Sequence, residues 1–194
     1  MKILDILKQS SELLGLGEEI QLLEQVTTEN EAEILANKEI KTLINLLKYS
    51  IQELCTNYVP MIDSVEVEIT NNKYELSLLP NYIRVQSVYK NGELVNYKTI
   101  NRAINVEENG IYNIVYSTYP EINSIFYEID FLSNLNPDVL VLGLASYYTL
   151  SRGRFEEFEV FHENYTEKAE SLKELKNFTM PQRRWEWKQK KELL

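Results

Sequence analysis

IQELCTNYVPMIDSVEVEITNNKYEL, residues 51–76, holds the point at which the chain changes its period. Up to Tyr58 the apolar residues recur every three or four positions, and Leu47, Ile51, Leu54 and Cys55 share one stripe of a helix. Pro60 stops that pattern, because proline has no amide hydrogen to donate and its ring obstructs the preceding turn. SVEVEIT, residues 64–70, then alternates strictly: Val65, Val67 and Ile69 lie on one face, Glu66 and Glu68 on the other. A helix gives way to a half-buried strand, so the chain is read as α+β rather than all-helical.

Strand signals continue downstream. Asn71-Asn72 reads as a turn, with KYELSLL returning as the partner of SVEVEIT. After Pro80, YIRVQSVY is a strand, Asn91-Gly92 is the residue pair most suited to a two-residue hairpin, and ELVNYKTI returns. A second pair, Asn109-Gly110, is read as another hairpin turn ahead of the strand IYNIVYSTY. Residues 64–119 thus make an antiparallel sheet or small barrel, and IFYEIDF is ambiguous, extending it to 131 if it adds a strand.

Helices enclose this block. Residues 2–14 are amphipathic and stop at Gly15. Thr28-Glu29-Asn30-Glu31 fits a capping box opening a helix over 29–58, with Ile40, Leu43, Ile44 and Leu47 on its apolar stripe. Asn136-Pro137-Asp138 places a cap, a first-turn proline and an acid where each is favoured, and the helix that follows, 137–150, is apolar all round. Ser151-Arg-Gly-Arg154 breaks it, and a last helix over 155–177 carries Phe158, Phe161, Tyr165, Ala169 and Leu172 at helical spacing. The expected organisation is a bundle from residues 1–60 and 132–178, a β domain inserted over 61–131, and a C-terminal arm, 179–194, set off by Pro181.

The 194 residues carry a formal charge of −10, and 44% of them are apolar, as in an ordinary folded protein. Five cations against two acids leave +3 on residues 181–194, so the remainder carries −13. A body that acidic repels nucleic acid. The N-terminus is not expected to be a signal peptide, and no run approaches the roughly 20 apolar residues of a membrane span. The sequons at Asn164 and Asn177 are therefore read as without meaning.

Catalytic chemistry is not legible. The lone histidine, His162, is read as a helix-surface residue and the lone cysteine, Cys55, as a buried small hydrophobe. Leu14-Gly-Leu-Gly17 has neither the preceding strand nor the following lysine of a phosphate loop. Adjacent acids such as Glu18-Glu19 and Glu156-Glu157 point in different directions on a helix and make no acid–base dyad. The expectation is a non-enzyme without cofactor or metal.

Taken in order, the pieces resemble the head–tail connector (adaptor, or head-completion) proteins of tailed phages. LLGLGEEIQLLEQVTTENEAEILANKEIKTLINLLKYSIQELCTNY is similar to the helical opening of that family, and LSLLPNYIRVQSVYKNGELV to its segment of proline, strand and Asn-Gly hairpin. YNIVYSTYPEI resembles the strand leaving the sheet, and NPDVLVLGLASYYTLSRGRFEEFEVFHENYTEKAESLKELK the closing helix pair. The resemblance implies a virion protein assembled in the host cytoplasm: a homo-oligomeric, dodecameric ring beneath the portal protein. The ring would extend the channel for double-stranded genomic DNA and meet a downstream neck or tail protein. The sheet is larger than in the simplest connectors, which leaves its role open.

On that reading the arm MPQRRWEWKQKKELL, residues 180–194, docks on the portal through Arg183, Arg184, Trp185, Trp187 and Lys188. Tryptophan and arginine are enriched at binding hot spots, and the two tryptophans point the same way in an extended chain. The other readings are that they fold back on the bundle or that the arm binds single-stranded DNA. Glu18, Glu19, Glu107 and Glu108 are the candidate acids facing the channel, where they would keep DNA from sticking. Two other functions remain: a tail-completion or other neck ring of the same virion, and a carbohydrate- or protein-binding module with a tyrosine-rich sheet.

Overall fold

The computed structural model describes residues 2–129 and 137–179. The chain is α+β. Four helices come first: α1 (Ile3–Leu14), α2 (Gly17–Glu24), α3 (Glu31–Leu35) and α4 (Lys38–Asn57). Seven strands follow: β1 (Met61–Ile69), β2 (Lys73–Glu75), β3 (Tyr82–Lys90), β4 (Glu93–Leu94), β5 (Lys98–Ile100), β6 (Ala103–Asn105) and β7 (Gly110–Thr118). Helices α5 (Asp138–Ser151) and α6 (Phe155–Thr179) close the described chain.

The first helix ends as expected. Gly15 adopts φ 73° and, with Leu16, returns amide hydrogens to Glu12 and Ser11. Helix α2 was not foreseen. The expected helix over 29–58 is two helices. Asn37 leaves the helical region (φ −60°, ψ 128°), and its side-chain oxygen accepts the amides of Glu39 and Ile40 at 2.8 and 3.1 Å. It ends α3 and caps α4. The capping box at Thr28 does not form. Thr27 and Asn30 bond each other instead, and the Glu31 carboxylate accepts Ser124 Oγ–H at 2.7 Å and the Ile125 amide at 2.8 Å. A long-range pair of donors outcompeted the local amide. At α5, Pro137 stands at the cap and Asp138 opens the helix; Asn136 lies outside the described residues.

The strands form two sheets, ordered β1-β7-β3-β4 and β2-β6-β5. Two sequence-level pairings are corrected. SVEVEIT pairs with β7 residue for residue, Val65 opposite Ile114 and Val67 opposite Tyr112. It meets KYELSLL only at the bridge Thr70–Lys73, across the Asn71-Asn72 turn, where both residues have positive φ. Lys73–Glu75 pairs with β6, and Leu76–Leu78 is a 3₁₀ turn. Asn91-Gly92 is the hairpin turn between β3 and β4, with φ of 54° and 83°. Asn109-Gly110 is not a hairpin turn: β6 and β7 belong to different sheets. The Asn109 side-chain oxygen accepts the Asn72 amide at 2.8 Å, which fastens the entry of β7 to the first turn. The second tight turn of this region is Asn101-Arg102, with φ of 50° and 59°, joining β5 to β6.

Buried apolar residues fall into two clusters. One gathers Ile69, Leu76, Leu79, Val88, Ile104, Val106, Tyr112, Ile114 and Tyr116 between the two sheets. The other joins α1, α2, α4, α5 and α6. Ile122, Ile125 and Ile129 belong to the helical cluster, so the described part of IFYEIDF is not a strand. It runs along the start of α1: the carbonyls of Tyr127 and Ile125 accept the amides of Ile3 and Leu4, and Glu128 bridges Lys2. Amides that a helix leaves unpaired at its start are satisfied this way. Met61 lies opposite Thr118, so the chain enters and leaves the sheet side by side.

Candidate interaction surfaces

The centre of the bundle is α5, whose buried residues lie on every side. At Gly143 it packs closely on its neighbours: a Cβ there would stand 3.0 Å from the Tyr165 ring and 3.3 Å from Ser50 Cβ. Around this contact is a polar layer. Glu53 on α4 accepts hydroxyl hydrogens from Tyr147 at 2.5 Å and Tyr165 at 3.0 Å. Burial, and then the bond to Glu53 for Tyr147 and its charge for Tyr165, push both phenols above the ordinary tyrosine range. They stay protonated donors near neutral pH and cannot act as bases there. Glu39 accepts from Tyr148 and from Arg152, whose guanidinium also lies 5.1 Å from the Tyr148 ring centre. Its carboxyl is held below the ordinary range, first by the hydrogen bond from Arg152. These groups are engaged with one another rather than aimed at a cavity.

His162 is half-buried on α6, stacked on Phe158, with Nδ1 3.3 Å from Ser146 Oγ. Ser146 is fully buried in α5. Cys55 is fully buried in the helical cluster. Among the described residues, no group of three or more His, Cys, Asp or Glu is placed to hold a metal ion, and no helix is long and apolar enough to cross a membrane.

The four candidate channel acids do not form one surface. Glu18 and Glu19 stand in the first turn of α2, on the bundle. Glu107 and Glu108 are exposed in the loop before β7. That loop lies at the end of the sheet where Gly110 meets Ile69, away from the Met61 end that joins α4. Glu108 is engaged by Lys90 Nζ at 2.7 Å. The candidate docking residues Arg183, Arg184, Trp185, Trp187 and Lys188 lie outside the described residues.

Two surface features were not anticipated. The first is on the outer face of the four-stranded sheet. Glu66, Asn113 and Tyr89 stand in one row across β1, β7 and β3, beside the Asn91-Gly92 turn, and line a shallow depression with exposed Ile111. Residue types alone could not show this row, because Glu66 and Asn113 are brought together only by the β1–β7 register. The second is the outer edge of β1, which is last in its sheet and nine residues long. The alternation of SVEVEIT signals a strand but not its position at an edge.

Comparison with known protein families and with characterised proteins finds no match to this chain.

Proposed function

We propose that this protein is a structural subunit of a tailed-phage neck: a head–tail connector that forms a ring under the portal, extends the DNA channel and meets the next neck or tail component. The observation that carries the reading is the architecture. Helices before and after the sheet share one core, and the sheet leaves that core by two adjacent strands, β1 and β7. The segments that resemble the connector family fall on coherent units: β3 with the β4 hairpin, β7, and the packed pair α5 and α6. The polar network around Glu53 and Glu39 links α4 to α5 and α6. The negative body suits a channel wall, with Glu18 and Glu19 on the bundle or Glu107 at the sheet tip facing the DNA.

The test is electron microscopy of the full chain mixed with a tailed-phage portal protein from the same genome. Rings stacked coaxially on the portal are expected. A monomer that never associates with portal would overturn the reading. The row Glu66, Asn113 and Tyr89 favours one other function, a sugar-binding module, since a carboxylate, a carboxamide and an aromatic ring are what a sugar ring requires. A monomer that binds a glycan array would select it.

A further inference from the structure

The edge of β1 is built to accept another strand. β1 is last in its sheet, so among the described residues β7 is its only strand partner, while the Ser64 amide donates to the Asp63 side chain at 2.7 Å. Edge strands are usually protected by shortness, a bulge, a proline or a lysine. β1 has none of these: it is nine residues long, pairs with β7 without a register shift, and reads MIDSVEVEI. Its guard is negative charge. Asp63, Glu66 and Glu68 are exposed, and two copies of β1 laid side by side would bring these acids together. The edge therefore refuses itself and suits a basic strand. Its two faces also differ. On the core side Val65 and Val67 are only half-buried at the margin of the β cluster, and on the outer side stand Glu66 and Glu68.

We propose that the C-terminal segment 182–190 of one copy adds as a strand to the outer edge of β1 in a neighbouring copy. The segment, QRRWEWKQK, has the length of β1. In a strand, Trp185 and Trp187 share one face with Arg183, and Arg184, Glu186, Lys188 and Lys190 share the other. The tryptophans then cover Val65 and Val67, and the second face, three cations against one acid, meets Glu66 and Glu68. Backbone hydrogen bonds supply affinity and the alternating side chains supply specificity, the usual division in strand addition. Because donor segment and acceptor edge are different surfaces, the contact can run head-to-tail from copy to copy, as a ring requires. The proposal rests on the ring reading for its choice of occupant, and it redirects the arm from the portal to the neighbouring subunit.

The test uses full-length protein in two tagged forms, one carrying Glu66→Cys and the other Lys188→Cys, mixed and treated with a short bis-maleimide. The native Cys55 is fully buried and does not compete. A cross-link between the two forms is expected, mapped by peptide mass spectrometry. It is expected to be lost when Glu68→Lys is added to the first form, or Trp185→Ser with Trp187→Ser to the second, with circular dichroism unchanged. No link between copies, or a link indifferent to these changes, overturns the proposal. So does a link found only within single chains of the doubly substituted protein at high dilution, since the segment then covers its own β1. A portal pull-down with the same variants separates the two readings. Cross-linking without portal capture keeps strand addition and removes the connector function. Tryptophan-dependent portal capture without cross-linking does the reverse.

Discussion

Replacing Gly143 by alanine adds one methyl group where α5 lies close against Tyr165 and Ser50. In an open helix this change stabilises by about 1 kcal/mol, because alanine loses less backbone entropy. Here the new Cβ would lie 3.0 and 3.2 Å from two atoms of the Tyr165 ring and 3.3 Å from Ser50 Cβ. Neither neighbour yields easily. Tyr165 is fully buried, its ring packs edge-on to Tyr58, and its hydroxyl is bonded to Glu53. Ser50 Cβ is one bond from the backbone of α4. Overpacking of this kind costs about 1–3 kcal/mol. Set against the propensity gain, Gly143→Ala should leave the protein less stable by up to about 2 kcal/mol, a fall of up to a few degrees in melting temperature for a chain of this size. The assay is urea unfolding followed by far-ultraviolet circular dichroism, which weights the helices. A second arm tests the cause: in a Tyr165→Leu background the ring is gone, and the same Gly143→Ala change should become neutral or stabilising. Stabilisation by Gly143→Ala in the native background, or an equal cost in both, would refute the argument that the Tyr165 ring sets the glycine.

Other consequences can be measured directly. Gly92→Val should cost more than about 1 kcal/mol, since φ is 83° there and a β-branched residue resists it; a cost below about 0.5 kcal/mol would speak against the primed turn. Glu39→Gln should lower stability at neutral pH by about 1 kcal/mol, a modest figure because the Arg152 side chain is 44% exposed and solvent screens the pair. The Glu39 carboxyl is held below its unfolded value, so its contribution is present above the unfolded pKa and is lost as pH falls through the folded one. Wild type and variant should therefore converge in acid, and a difference that persists there would place the effect in packing instead. A chain lacking residues 181–194 should fold and show no binding to duplex DNA at physiological salt in an anisotropy titration; micromolar binding would defeat the channel-wall assignment of the acidic body.

Local chemistry was legible where a single residue type decides the outcome. Gly15 ends α1, Pro60 closes the helical pattern, Asn91-Gly92 turns a hairpin, and the alternation in SVEVEIT makes a strand. The α+β class follows from those periods alone. Side-chain partners, and with them the row Glu66, Asn113 and Tyr89, were less accessible. Glu31 and Asn109 both carry side chains suited to a local cap or turn, and both were drawn to partners distant in the chain, Ser124 and Asn72. Asn37 did carry a cap signal, two residues before Glu39, but the long apolar stripe concealed it.

What the sequence determined by itself is the type of each long element, because apolar period depends only on residues a few positions apart. What the tertiary structure decided is which strand lies beside which. Val65 could not announce Ile114, because antiparallel pairing satisfies any strand's backbone equally well and only burial of the shared Tyr112–Tyr116 face selects β7. The same selection placed β1 at the end of its sheet, and thereby turned an ordinary amphipathic strand into an open acidic edge.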